Sequence, residues 1–138
     1  MKIKKSKGFS LIELLITVAI VGILAGIAYP SYTEFVAQSN RSEAQRELLR
    51  LANLMEQYYL DHRAYTTDLK KLGNTDTTLT TDSGNYKIVA TGNAETYTLT
   101  ATAQTHQATI DDSTCLTLSV DQAGARLPST ASSDCWEQ

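Results

Sequence analysis

Four lysines followed by a long apolar run open this chain. Lys2, Lys4, Lys5 and Lys7 precede the 21 residues from Phe9 to Tyr29, which are interrupted only by Ser10, Glu13, Thr17 and two glycines. As a helix this run rises about 30 Å, the hydrocarbon thickness of a bilayer. Lysines stay on the cytoplasmic side, so everything after Tyr29 is expected outside the inner membrane, with membrane lipid as the first partner. A cleaved signal peptide shares the basic start and the apolar stretch. Two features favour a retained anchor: the run is longer than a signal core, and a helical pattern continues past Ala25-Gly26-Ile27-Ala28-Tyr29-Pro30.

Glu13 is the feature of that run that asks for a function. A carboxylate within an apolar span costs about 2.5 to 3.5 kcal/mol on insertion scales and needs a positive or proton-donating partner. No Lys or Arg lies between Phe9 and Glu34, so the span contains no cation unless cleavage creates a new amine near Glu13. A protonated, lipid-facing acid is the plainer reading. Gly22 and Gly26 form a small-xxx-small pair that lets membrane helices approach closely, a spacing that is also common by chance. Glycine lowers helix propensity, and Pro30 has no N–H to return to Gly26, so the stretch from Gly22 to Pro30 is locally soft or kinked.

The segment Lys7-Gly8-Phe9-Ser10-Leu11-Ile12-Glu13-Leu14-Leu15 resembles the type III prepilin motif of type IV pilins and pseudopilins. The resemblance implies that a prepilin peptidase cuts between Gly8 and Phe9 and methylates the new Phe9 amine. It also implies that Glu13 pairs with the Phe9 amine of a neighbouring subunit, which supplies the missing cation. In that family the stretch from Gly22 to Pro30 can lose helical structure in the filament. Ser10 stands where the family more often has Thr.

From Ser31 to about Asp61 there is no Gly or Pro, and Ala37, Ala44, Leu48, Leu51, Met55 and Tyr58 recur at three- and four-residue steps, with Arg41 as the one interruption. This is the stripe of an amphipathic helix. Glu43/Arg46 and Glu47/Arg50 read as pairs on its solvated face. From Thr66 onward 17 of 73 residues are Thr, a β-branched type suited to half-buried strands. Strands are expected at Tyr86–Thr91, at Thr96–Ala103 and at Cys115–Val120. In the second, Tyr97, Leu99, Ala101 and Ala103 alternate with threonines; in the third, Leu116, Leu118 and Val120 share a face. Asp121-Gln122-Ala123-Gly124 closes a hairpin into a short last strand near Ala125-Arg126. Thr66 to Asn85 reads as a long polar loop. The economical fold is α+β: a long N-terminal helix, membrane-spanning in its first half, packed by its second half on a three- to four-stranded antiparallel sheet.

Cys115 and Cys135 are two buried thiols or one bridge, and export favours the bridge. It would close a loop of about 20 residues, worth roughly 3 kcal/mol in the chain-entropy model, around Pro128 and the unpatterned run from Ser129 to Ser133. Asn40 through Ala44, Leu48, Ala52, Glu56-Gln57-Tyr58-Tyr59 and Tyr65, with Cys115, Val120 to Gly124 and Cys135-Trp136, resemble minor pilins of the PilE kind. The implied fold is a pilin with a C-terminal disulfide-bounded region. The implied organisation is a basic leader (1–8), a transmembrane and polymerisation helix (9–29) and an extracytoplasmic head (30–138).

Composition excludes several other functions. The 138 residues, 42% apolar and 20% charged, suffice for one core. Outside the first eight positions 8 basic residues face 15 acidic ones, and from Thr66 on only Lys70, Lys71, Lys87 and Arg126 face nine acids, so strong nucleic-acid binding is not expected. His62 and His106 have no Cys or carboxylate at ligand spacing, and Asp111-Asp112 lacks the Gly and terminal Glu of a calcium loop. No phosphate-cradling loop or nucleophile elbow is present, so neither a metal, another cofactor nor an enzyme is expected. Asn40-Arg41-Ser42 matches a glycosylation sequon on a helix, where it reads as a chance match.

Three roles follow from the resemblance. The first is a structural, minor subunit of a type IV pilus for adhesion, twitching motility or DNA uptake, with other pilins, the prepilin peptidase and the inner-membrane assembly machinery as partners. The second is a pseudopilin of a type II secretion system, which the cysteine pair and the tail disfavour. The third is a DNA-binding uptake pilin.

Overall fold

The computed structural model describes residues 8–128 together with Cys135 and Trp136. The leader lysines and the run from Ser129 to Ser133 lie outside the described residues. One helix, α1, spans Leu11–His62, and contacts divide the chain into two units, Met1–Thr33 and Glu34–Gln138.

In the first unit the helix starts where the Ser10 carbonyl accepts the Leu14 N–H at 3.2 Å. An 18-residue window of α1 near the N-terminus has a mean hydropathy of 2.6 and is entirely unburied. Leu11, Ile12, Leu14, Leu15, Ile16 and Val18 are all more than half exposed. This segment meets the length and hydropathy of a membrane span. Pro30 sits inside the helix, which continues through it. The lost donor costs one ladder bond at Gly26 without ending the element.

The second unit is a sheet laid on the apolar stripe of α1. Ala37, Ala44, Leu48, Leu51 and Met55 are buried as the three- and four-residue steps require, and Gln45 joins them. The strands are β1 (Leu79–Thr80), β2 (Tyr86–Gly92), β3 (Tyr97–Ala103), β4 (Thr117–Asp121) and β5 (Arg126–Leu127), in the spatial order of the chain and antiparallel throughout. Tyr86 and Ile88 of β2, Tyr97, Leu99 and Ala101 of β3, and Leu118 and Val120 of β4 turn inward onto the helix stripe. Of these, Ile88, Leu99, Leu118 and Val120 each contribute about 1.5 to 3 kcal/mol over the exposed state. Their neighbours Lys87, Thr98, Thr100, Thr102, Thr117 and Ser119 form the outer face, as the period of two dictates.

The sheet has five strands where the sequence predicts three or four. The additional strand, β1, is two residues long and lies in the stretch read as loop. A 3-10 turn at Leu69–Leu72 occupies the same stretch and buries both of its leucines. Asp68 caps that turn through the Lys70 N–H, and Gly73 closes it in the left-handed region at φ 85°. The turn before β2 is tied to α1 by Glu43, whose carboxylate accepts from the Ser83 hydroxyl and from the Ser83 N–H. A four-residue helix, α2 (Gln107–Ile110), lies between β3 and β4. The β4–β5 turn is built by Asp121, whose Oδ1 accepts the N–H groups of Ala123 and Ala125, both at 2.9 Å.

Candidate functional site

The residues expected to carry function fall into two groups, one in each unit. In the first unit Gly8 and Phe9 precede α1, and Phe9 is 82% exposed. Glu13 occupies the first turn of α1, where a carboxylate is favoured by the positive end of the helix dipole. Its backbone carbonyl accepts the Thr17 hydroxyl at 2.7 Å, so that hydroxyl is satisfied within the helix. Among the described residues no ion pair involves Glu13. A Cβ added at Gly22 or Gly26 would meet nothing within 4 Å, so the face they share is open to a neighbouring helix.

In the second unit Cys115 and Cys135 form the disulfide, with Cα atoms 5.3 Å apart. Cys135 and Trp136 are buried against the core cluster. The Cys135 carbonyl accepts Gln45 Nε2 at 2.7 Å, and the indole N–H of Trp136 donates to the Leu127 carbonyl at 3.2 Å. The Arg126 guanidinium lies 5.4 Å from the Trp136 ring centre, a cation–π contact. The bridge therefore pins the end of the chain to both helix and sheet.

A buried polar network joins α1 to α2. Gln107, fully buried, receives the Asn40 amide on its Oε1 at 2.7 Å and donates to the Ala37 carbonyl at 3.0 Å and to Asp111 at 2.7 Å. Asp111 also accepts the Tyr86 hydroxyl at 3.2 Å and pairs with Arg41. Burial, then the Asp111 charge, pushes the Tyr86 phenol well above the usual tyrosine range. Sequence reasoning missed this network, although Arg41 signalled it by interrupting an apolar stripe. The Asn40 amide is engaged here, on a helix, which gives a physical reason to discount the sequon.

Further along α1, Glu56 accepts the hydroxyls of Tyr65 at 3.1 Å and Tyr97 at 3.4 Å, while Tyr65 stacks on Tyr59 and meets Tyr97 edge-on. Burial first, then Glu56, raises both phenols. A groove of about 310 Å³ runs beside them between α1 and the β4–β5 turn, lined by Asn53, Glu56, Gln122 and Arg126 among others.

His62 stacks on Tyr58 and shares a hydrogen bond with its carbonyl, and His106 precedes α2. Among the described residues no three His, Cys, Asp or Glu side chains gather as a metal set. Asp111 belongs to the buried network. The neighbouring Asp112 is held below the usual carboxylate range by the Thr114 hydroxyl and N–H. The four basic residues from Thr66 on do not share one strand or turn. Lys70 and Lys71 lie on the 3-10 turn, Lys87 on β2 and Arg126 on β5, three strands and roughly 14 Å further across the sheet.

A long helix, exposed and apolar in its first half and covered by an antiparallel sheet in its second, with a C-terminal disulfide, is the architecture of a type IV pilin. Residues 3–29 match the Prokaryotic N-terminal methylation motif, and residues 30–119 match the family described as Type IV minor pilin ComP, DNA uptake sequence receptor. The chain belongs to that type IV minor pilin family. It is 36% identical over 98 residues to a fimbrial protein of Pseudomonas aeruginosa, covering 67% of this chain and 64% of that one. It is 42% identical over 67 residues to the type IV major pilin protein PilE of Neisseria gonorrhoeae, covering 49% and 40%. It is 39% identical over 69 residues to the type IV major pilin protein PilA of Myxococcus xanthus, covering 50% and 31%. The matched stretches thus span less than two thirds of these relatives' own length.

Proposed function

We propose that this chain is a structural subunit of a type IV pilus. It is made as an inner-membrane precursor, cut between Gly8 and Phe9, methylated at Phe9, and assembled through pairing of Glu13 with the Phe9 amine of a neighbour. The observation that carries this reading is the methylation motif falling on an unburied apolar helix whose acid has no cation among the described residues. The role asks for no catalysis by this chain, and softening between Gly22 and Pro30 belongs to its assembly step. Intact mass of the chain in sheared filaments tests it: a species beginning at methylated Phe9 supports the reading, and an uncut chain defeats it. The relatives named are pilus proteins, which favours a pilus over a secretion pseudopilus.

A second reading, a receptor for DNA during uptake, is favoured by the description of the matched family. The acidic balance of the head opposes it, because non-specific affinity comes from neutralised phosphates. Titrating duplex DNA at physiological salt separates the two. Binding at about micromolar or tighter supports a receptor, and weaker binding leaves the structural role alone.

A further inference from the structure

At the end of the apolar run and just beyond it, Tyr29 and Tyr32 stand three residues apart on one face of the helix, 74% and 67% exposed. The chain has no charged residue between Glu13 and Glu34, so these two rings are the first amphipathic groups on the side away from the lysines. A tyrosine that places its ring among acyl chains and its hydroxyl among headgroups is favoured at the membrane interface and disfavoured on either side of it. The distances along the helix agree. Phe9 lies about 30 Å from Tyr29, one hydrocarbon thickness, and Glu13 lies about 6 Å, or one turn, inside Phe9.

We propose that Tyr29 and Tyr32 are an interfacial anchor, docked in the headgroup layer opposite the lysines, that sets the depth at which Glu13 waits for assembly. The inference rests on the membrane-spanning reading above. It has a particular consequence for the processed chain: removal of residues 1–8 takes all four leader lysines, leaving the Phe9 amine at one interface and the tyrosine pair at the other. The pair then holds the height of Glu13 relative to a neighbour's amine.

Depth can be read by tryptophan quenching in the processed full-length chain, reconstituted in phosphatidylethanolamine–phosphatidylglycerol vesicles whose acyl chains carry bromine near the headgroup or near the bilayer centre. Trp136→Phe removes the only native tryptophan, and Ile20→Trp, Tyr29→Trp and Tyr32→Trp are made singly in that background. If Trp136→Phe unfolds the head, the same probes are read with Trp136 kept and its signal subtracted. The probe at position 20 should be quenched at least about twofold more by deep bromine, and those at 29 and 32 at least about twofold more by shallow bromine. Deep quenching at 20 without the shallow preference at 29 and 32 would overturn the anchor alone. Absence of quenching at 20 would overturn the span and the anchor with it. In Tyr29→Ala/Tyr32→Ala the probe at 20 should lose its deep preference, and an unchanged ratio would show that the pair does not set depth.

Discussion

Arg41 and Asp111 are 70 positions apart in the chain and form an ion pair, Nε to Oδ1 at 3.4 Å, with side chains 14% and 1% exposed. The pair joins α1 to the connection between β3 and β4, and the Arg41 guanidinium reaches 3.3 Å from Cys115 Sγ, so charge network and disulfide meet at one place. Removing one partner of a buried pair leaves the other charge without compensation, at a cost of about 3 kcal/mol. Asp111→Ala and Arg41→Ala should each lower head stability by that order. Arg41→Met/Asp111→Leu should lose at least about 1 kcal/mol less than the losses of Arg41→Met and Asp111→Leu added together. Urea unfolding followed by Trp136, buried in the same core, reports it; strictly additive losses would mean the two charges act independently.

The disulfide closes a sequence separation of 20 residues, so Cys135→Ser should cost about 3 kcal/mol by restoring loop entropy to the unfolded chain. The C-terminal segment should also become protease-sensitive, because the Gln45 and Trp136 contacts depend on its position. Unchanged unfolding and unchanged proteolysis would show that the bridge adds nothing to the core contacts.

Gly92 ends β2 at φ 139°, and a Cβ there would stand 2.2 Å from the Thr96 carbonyl oxygen. Gly92→Ala must both adopt a conformation that L-residues avoid and push backbone aside. It should destabilise the head by about 2 to 3 kcal/mol, whereas Thr91→Ala beside it should change stability by less than about 1 kcal/mol. Equal effects at the two positions in urea unfolding would contradict this account of the hairpin.

Tyr86 and Tyr97 are buried, and both phenols are raised above their ordinary value of 10.0. A raised pKa means that the folded state keeps its proton after the unfolded state has lost it. The resulting stability is complete below about pH 10 and is lost as pH rises beyond that toward the folded value. While only the unfolded chain ionises, each tyrosine removes about 1.4 kcal/mol per pH unit. The urea midpoint should therefore be flat from pH 8 to about 9.5 and fall steeply above it, with a shallower fall in Tyr86→Phe. A midpoint unchanged through pH 11 would contradict the buried placement of these phenols.

Periodicity made most of this fold legible. The alternation of Tyr97, Leu99 and Ala101 set the inner face of β3, and the steps from Ala37 to Met55 set the stripe it covers, because each pattern repeats often enough to define a face. β1 and α2 escaped for the opposite reason. Leu79–Thr80 and Gln107–Ile110 are too short to show a period, and cross-strand pairing or the polar network specifies them instead. At the candidate site the motif from Gly8 to Glu13 is local and could be read directly. The partners of Arg41 could not, since Asp111 and Cys115 reach it only through the return of the chain.

In the proposed assembly step Glu13 acts between subunits, not as part of the folded monomer. Glu13 is exposed, in the first turn of a helix that makes its core contacts only further along, so Glu13→Ala should leave folding, cleavage after Gly8 and membrane retention intact. The decisive measurement is the amount of chain starting at Phe9 in sheared filaments relative to membranes, for the native sequence and for Glu13→Ala. Loss of one charge pair worth about 1.4 kcal/mol or more predicts at least a tenfold fall in that ratio. A ratio equal to that of the native chain would contradict the account.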